Sequence, residues 1–189
     1  MRAFIAVELP EAVKAGMAAV QALLATSGVD ASWPRPEGLH LTLKFLGETS
    51  EDRVPEIVRA LTLALGDTGG FRLRGQGVGT FPHAASARVV WFGVAGDVER
   101  LVALRDAVEG AMTGLGAEAD DRPYTPHLTL GRIRRIRRRG QWLRALEQVR
   151  NASLPGFDVT AVSLMGSELR PGGAVYRELG KVALKPGPA

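Results

Sequence analysis

The tetrapeptide His-Leu-Thr-Leu occurs twice in this chain, at His40–Leu43 and at His127–Leu130. With ordinary composition, a given histidine is followed by Leu-Thr-Leu by chance roughly once in a thousand times. Here two of the three histidines head it, 87 residues apart. Val7 and Val94 end matching strands at the same offset, and Phe71 and Phe157 open matching strands at an offset of 86. The order strand–helix–His-x-Thr strand–helix–strand is therefore expected twice, the mark of an internal duplication. Two similar lobes would face each other across a pseudo-two-fold axis, each offering one His-x-Thr to a shared cleft.

The rest of the chain fits that frame. Its 189 residues suit one domain or two small lobes, and the 46% of apolar residues are enough for a core. Ala3–Leu9, Leu39–Phe45, Phe71–Phe81 and Ala87–Val94 read as strands, as do the segments from Phe157 to Met165 and from Ala174 to Leu184. Helical stripes run through Val13, Met17, Val20 and Leu24, through Val54, Ile57, Val58, Leu61 and Leu65, and through Val98, Leu101, Val102, Val108 and Met112, the last capped by Asp97. A further helix is expected from about Gln141 to Val149, and the tail from Lys185 onward is expected to fray. With no cysteine, disulfides, zinc–thiolate sites and thiol chemistry are excluded. No apolar run reaches membrane-spanning length, and the N-terminus meets Glu8 and Pro10 too soon for a secretory signal. A cytoplasmic monomer is the expectation. The net charge of +4 comes with twenty arginines and four lysines; either a GC-rich genome or phosphate recognition by guanidinium groups accounts for that bias.

Strand geometry gives the repeated motif chemical meaning. Side chains at i and i+2 share a face, so His40, Thr42 and Lys44 are expected on one side, with Leu39, Leu41 and Leu43 filling a core on the other. His127 and Thr129 repeat this over Leu128 and Leu130. Each lobe then presents an imidazole beside a hydroxyl. Two imidazoles flanking one substrate can act together as acid and base, while hydroxyls donate to phosphate oxygens as charge develops. No grouping of Asp, Glu and further His suggests a metal site, so metal-free phosphoester chemistry without a cofactor is expected.

The pair "HLTLKFLGE" and "PHLTLGR" resembles the two signature motifs of the 2H phosphoesterase family. The surrounding "ASWPRPEGLHLTLKFLGE" and "FPHAASARVVWFGV" resemble its RNA 2′,3′-cyclic phosphodiesterase branch, once called 2′-5′ RNA ligases, and the likeness covers nearly the whole chain. The resemblance implies an α+β fold: two similar lobes of antiparallel sheet with outer helices, related by pseudo-two-fold symmetry around a central groove. The domain would span residues 1–189, with lobes of about 1–86 and 87–185 able to exchange strands. It further implies hydrolysis of RNA ending in a 2′,3′-cyclic phosphate to a 2′-phosphate, without metal, with weak reversible 2′-5′ ligation. His40 and His127 match the catalytic histidines, with His127 as base and His40 as acid, and Thr42 and Thr129 match the phosphate-binding threonines. Phe45 matches an aromatic that stacks on the terminal base, and Arg132 a phosphate-binding arginine. Their odd spacing places both opposite their histidines, so they reach the cleft only if the strand twists or ends, as Gly47 and Gly131 would allow.

Other features carry less. His83 lies in a Pro-containing loop with no threonine partner, and "GQGVG" (Gly75–Gly79) reads as a bulged strand, not a nucleotide loop. Trp33 and Tyr124 fit either the groove or simple packing. The run Arg132–Gly140 reads equally as a solvated face and as a contact for the RNA backbone. Two alternatives stay open: a 2H phosphoesterase acting on a small cyclic nucleotide or ADP-ribose cyclic phosphate, and a non-catalytic module that binds RNA ends.

Overall fold

A computed structural model describes residues 1–170 and 173–187. Among the described residues, nine strands form two antiparallel sheets, and four α-helices cover them. In chain order these are β1 (Arg2–Glu8), α1 (Glu11–Ala25), β2 (Val29–Ser32), β3 (His40–Glu48), α2 (Val54–Leu65), β4 (Phe71–Phe81), β5 (Val89–Gly96), α3 (Val98–Gly114), β6 (His127–Ile136), α4 (Arg139–Val149), β7 (Ser153–Val159), β8 (Ala161–Arg170) and β9 (Gly173–Ala183). The first sheet has the order β3-β1-β8-β9 and the second β2-β6-β5-β4-β7.

The helices follow their apolar stripes. Ile57, Leu61 and Leu65 bury one face of α2, and Leu101, Leu104, Val108 and Met112 one face of α3. These two helices pack on each other and on the first sheet, while α1 and α4 pack together over the second. Asp97 precedes α3 but makes no side-chain cap; its carboxylate instead accepts the backbone N–H of Arg72 at 3.0 Å.

The sheets do not divide the chain at residue 86. β2 and β4, from the first half, belong to the second sheet, and β8 and β9, from the second half, belong to the first. The segment from Phe157 to Met165, read above as one strand, is two strands in different sheets that meet at Thr160. Its burial breaks step there, from Phe157 and Val159 to Val162 and Leu164, as the chain passes from one core to the other. Lys185, expected to fray, is held: its N–H donates to the Thr68 carbonyl and its own carbonyl accepts from Gly70. Residues 188–189 of that tail lie outside the described residues.

The duplication is visible in the ladders, with a different offset from the one expected. β1 pairs with β3 as β5 pairs with β6, so Ala6 opposite Thr42 corresponds to Trp91 opposite Thr129, an offset of 85 in place of the 87 that matched Val7 to Val94. Phe71 and Phe157 do not occupy equivalent strands. β4 and β7 are direct neighbours in one sheet, and the partner of β1 that corresponds to β4 is β8.

Candidate active site

The two His-x-Thr strands share a distortion that the alternation pattern does not reveal. The β1–β3 register slips at Leu43, and the β5–β6 register slips at Leu130. Both slips fall three residues after the histidine. Each is a β-bulge that inserts one residue and turns the following side chains over. The burial sequence is accordingly the same from His40 to Phe45 as from His127 to Arg132: half-buried, buried, half-buried, buried, buried, exposed. This explains how residues at an odd spacing share a face. Phe45, 62% exposed, and Arg132 stand on the same side as their histidines because of the bulges, not because the strands end at Gly47 or Gly131. Lys44 goes the other way. It is 1% exposed and buried beneath the strand, not beside His40 and Thr42 as alternation suggested.

Each bulge is secured by side chains from elsewhere. The Leu130 carbonyl accepts from the buried Gln21 Nε2 at 2.8 Å, and the same nitrogen reaches the Pro34 carbonyl at 3.0 Å. A buried carbonyl left without a partner would cost about 1–3 kcal/mol. Gly131 lets Trp33 close over this strand, since a Cβ there would lie 2.5 Å from the indole ring. In the first lobe the Tyr124 hydroxyl donates to the Thr42 carbonyl at 3.0 Å, and burial pushes that hydroxyl's pKa up, so it stays a donor.

His40, Thr42, Phe45, His127, Thr129 and Arg132 all line one cavity of about 600 Å³. Thr42, Phe45 and His127 also line an adjoining cavity of about 760 Å³, floored by Lys44 and Tyr124. The two cavities form a continuous groove where β3 meets β6. His83 is elsewhere: it is exposed and its Nδ1 lies 2.9 Å from the Ser86 hydroxyl. The register of β4 slips between Gly75 and Val78, so the glycine-rich stretch is a bulged strand. Trp33 packs on Gly131 and Tyr124 lines the second cavity.

The sequence reading missed the rings around the imidazoles. His40 lies against Phe4, with centroids 4.6 Å apart, and meets Tyr176 edge-on at 5.5 Å. His127 meets Phe81 edge-on at 5.3 Å and Trp91 at 6.4 Å. Phe4 comes from the strand that pairs with β3 and Trp91 from the strand that pairs with β6; Tyr176 enters from β9. Gly38 admits Tyr176, because a Cβ there would stand 2.7 Å from its ring. No local pattern marks these residues, since only the ladder brings them to the histidines.

The surroundings set the state of each ring. Burial pushes the His40 pKa down to about 4, opposed only by a hydrogen bond with the backbone of Gly38, so its imidazole is neutral at pH 7. His127 Nδ1 lies 2.8 Å from the Thr125 carbonyl. A carbonyl only accepts, so Nδ1 carries the proton and Nε2 of the neutral ring is left with its lone pair. Both histidines thus bond the backbone two residues upstream, a second feature copied between the lobes. Among the described residues no three His, Asp or Glu stand close enough to hold a metal ion, and no helix is long and apolar enough to cross a membrane.

Comparison with known proteins agrees with this geometry. The RNA 2′,3′-cyclic phosphodiesterase of Methanothermobacter thermautotrophicus is 31% identical over 179 residues, covering 95% of this chain and 96% of its own. The protein of the same name from Thermus thermophilus is 35% identical over 196 residues, covering 98% of this chain and 91% of its own. Among solved structures, TT0787 of Thermus thermophilus superposes with a TM-score of 0.80 at 28% identity, covering 98% of this chain and 99% of that one. E. coli LigT complexed with 3′-AMP gives 0.73 at 28% identity over 97% of each chain. The model of the 2′-5′ RNA ligase superfamily matches residues 9–170, and the chain belongs to that family.

Proposed function

We propose that the chain hydrolyses the 2′,3′-cyclic phosphate at the end of an RNA to a 2′-phosphate, with no metal ion in the reaction. The observation that carries this reading is the pair of imidazole–hydroxyl sets, with their copied bulges, lining one cavity. The names of the relatives support the substrate class. Water attacks phosphorus in line with the bond to the 3′-oxygen. One imidazole takes the water's proton as the new P–O bond forms; the other gives a proton to the 3′-oxygen as that bond breaks. Thr42 and Thr129 donate to the non-bridging oxygens, where charge builds up. Arg132 adds a guanidinium beside them, and the exposed Phe45 ring offers a face for the terminal base. With a 5′-hydroxyl in the place of water, the same centre joins two ends through a 2′-5′ bond.

His127 serves as base and His40 as acid in this reading. The hydrogen bond from His127 to Thr125 is compatible with the first role, because it leaves Nε2 free to accept, but His40 makes the matching bond to Gly38, so the assignment follows the family resemblance. The exchange of roles is favoured by a different observation: His40 is neutral in the free protein. As an acid it has to be recharged by the bound phosphate, whose negative charge favours the imidazolium. The deciding experiment incubates a short RNA ending in 2′,3′-cyclic phosphate with the protein in EDTA and identifies the product phosphate. A 2′-phosphate is expected, with turnover lowered at least about a hundredfold in both His40→Ala and His127→Ala. Binding without turnover would leave an RNA-end-binding module, and activity confined to small cyclic nucleotides would change the substrate class.

A further inference from the structure

We propose that Lys44 is a positioning residue, which ties the first His-x-Thr strand to the segment that delivers His127; this rests on the reaction proposed above. The Lys44 ammonium lies 2.8 Å from Glu109 Oε2, 2.9 Å from the Glu118 carbonyl and 3.4 Å from Asp120 Oδ1. Arg105 grips the same two carboxylates, Asp120 at 2.6 Å and Glu109 at 3.1 Å. Glu109 returns to the backbone N–H of Asp120 at 3.0 Å. Two cations and two anions thus fasten Asp120 beneath β3.

Five residues further on comes Thr125, whose carbonyl holds the His127 proton on Nδ1. Between them Tyr124, with the Arg105 guanidinium 5.5 Å from its ring centre, donates to the Thr42 carbonyl. The cluster therefore reaches one motif through Tyr124 and the other through Thr125. The bulge at Leu43 is what turns Lys44 down into this cluster. The duplicated position is Gly131, covered by Trp33, so the device exists on one side of the groove only. The cluster does not touch Thr125; it anchors the chain at Asp120, five residues before the carbonyl that fixes the His127 tautomer.

The test uses Lys44→Met and Asp120→Asn, singly and together, read by kcat on a cyclic-phosphate RNA, by melting temperature and by the ¹⁵N signature of the His127 tautomer. Each single variant is expected to lose the unique Nδ1–H tautomer and about a hundredfold in kcat, the scale of a misplacement near 1 Å. The double variant balances the charges again, so it should regain melting temperature but neither tautomer nor kcat. Recovery of kcat in the double variant would reduce the cluster to a matter of charge balance and overturn the proposal. So would single variants that keep both the tautomer and kcat, or that lose one and keep the other. Should Lys44→Met not fold, Asp120→Asn at the partly exposed end of the cluster decides alone. A wild-type protein inactive on every cyclic phosphate would sink the functional reading, while the tautomer comparison would still decide the role of Lys44.

Discussion

His40 should be a weak base, and the structure says by how much and why. Phe4 and Tyr176 close over it, and burial lowers its pKa from 6.5 to about 4. That gap is worth roughly 3 kcal/mol against the charged ring. Its sign can be followed through folding. Between pH 6.5 and about 4 the unfolded chain takes up this proton and the folded chain does not, so stability falls as the pH drops through that window. Above pH 6.5 both states are neutral and the effect vanishes. Tyr176→Ala should admit water beside the ring and raise its pKa by about one unit, if the two rings share the desolvation about equally. With only three histidines in the chain, imidazole NMR titration assigned by His40→Gln, His83→Gln and His127→Gln isolates each ring. An analogue carrying a 2′-phosphate should raise the His40 value, and a titration of His40 near 6.5 in the free protein would refute the desolvation argument. The same value bears on mechanism: kcat/KM falling as pH rises above about 4 marks His40 as the acid, and falling below about 4 marks it as the base.

Thr42→Val and Thr129→Val keep shape and remove the donor proposed to reach phosphate; turnover should drop by roughly tenfold to a thousandfold, and wild-type rates in both would leave the hydroxyls as packing. The arginines beyond Arg132 divide by their partners. Arg134 and Arg137 are paired with Asp30, at 2.9 and 3.4 Å, whereas Arg135, Arg138 and Arg139 are exposed at the end of β6 and the start of α4. Replacing those last three with Ser should flatten the salt dependence of oligonucleotide binding by about 0.7 for each phosphate no longer neutralised and leave hydrolysis of a cyclic mononucleotide unchanged; equal impairment on both substrates would move the run into the reaction centre.

The parts of this structure that could be read from the sequence are those written in consecutive residues. His40 with Thr42, and His127 with Thr129, were legible because both strands carry the same letters at the same local geometry. Lys44 was misplaced because a charged residue on the polar phase of an alternating strand looks solvent-facing. Its burial depends on Glu109 and Asp120, which come from α3 and the loop after it. The bulges left one trace, the odd spacing of Phe45 and Arg132, and strand ends at the glycines looked sufficient to explain it. The offset of 87 held where the repeat is local, along β3 and β6, and slipped where strand pairing decides, along β1 and β5. Phe4, Phe81, Trp91 and Tyr176 could not be nominated, because only the completed sheets place them on the imidazoles.

The interleaving of the two halves has a mechanical consequence for the groove. From β1 the chain crosses to the second layer for α1 and β2, returns for β3 and α2, crosses again for β4 and β5, and goes back for α3 before β6. Each sheet therefore contains strands from both halves, and the lobes cannot hinge apart along a single linker. Both the β1–β8 and the β4–β5 ladders lie within one sheet, so each wall is rigid in itself, and opening the groove would have to move all of these crossings together. The proposed acid and base on opposite walls would demand such fixity, since each would have to lie within hydrogen-bond reach of one phosphate at the same moment. A hinged cleft would have to restore that distance on every turnover. Here strand exchange holds it, the bulges turn the side chains toward it, and Gln21, Tyr124 and Lys44 fasten the bulges from below. The duplicated motif supplies two similar tools, and the exchanged strands keep them facing one another.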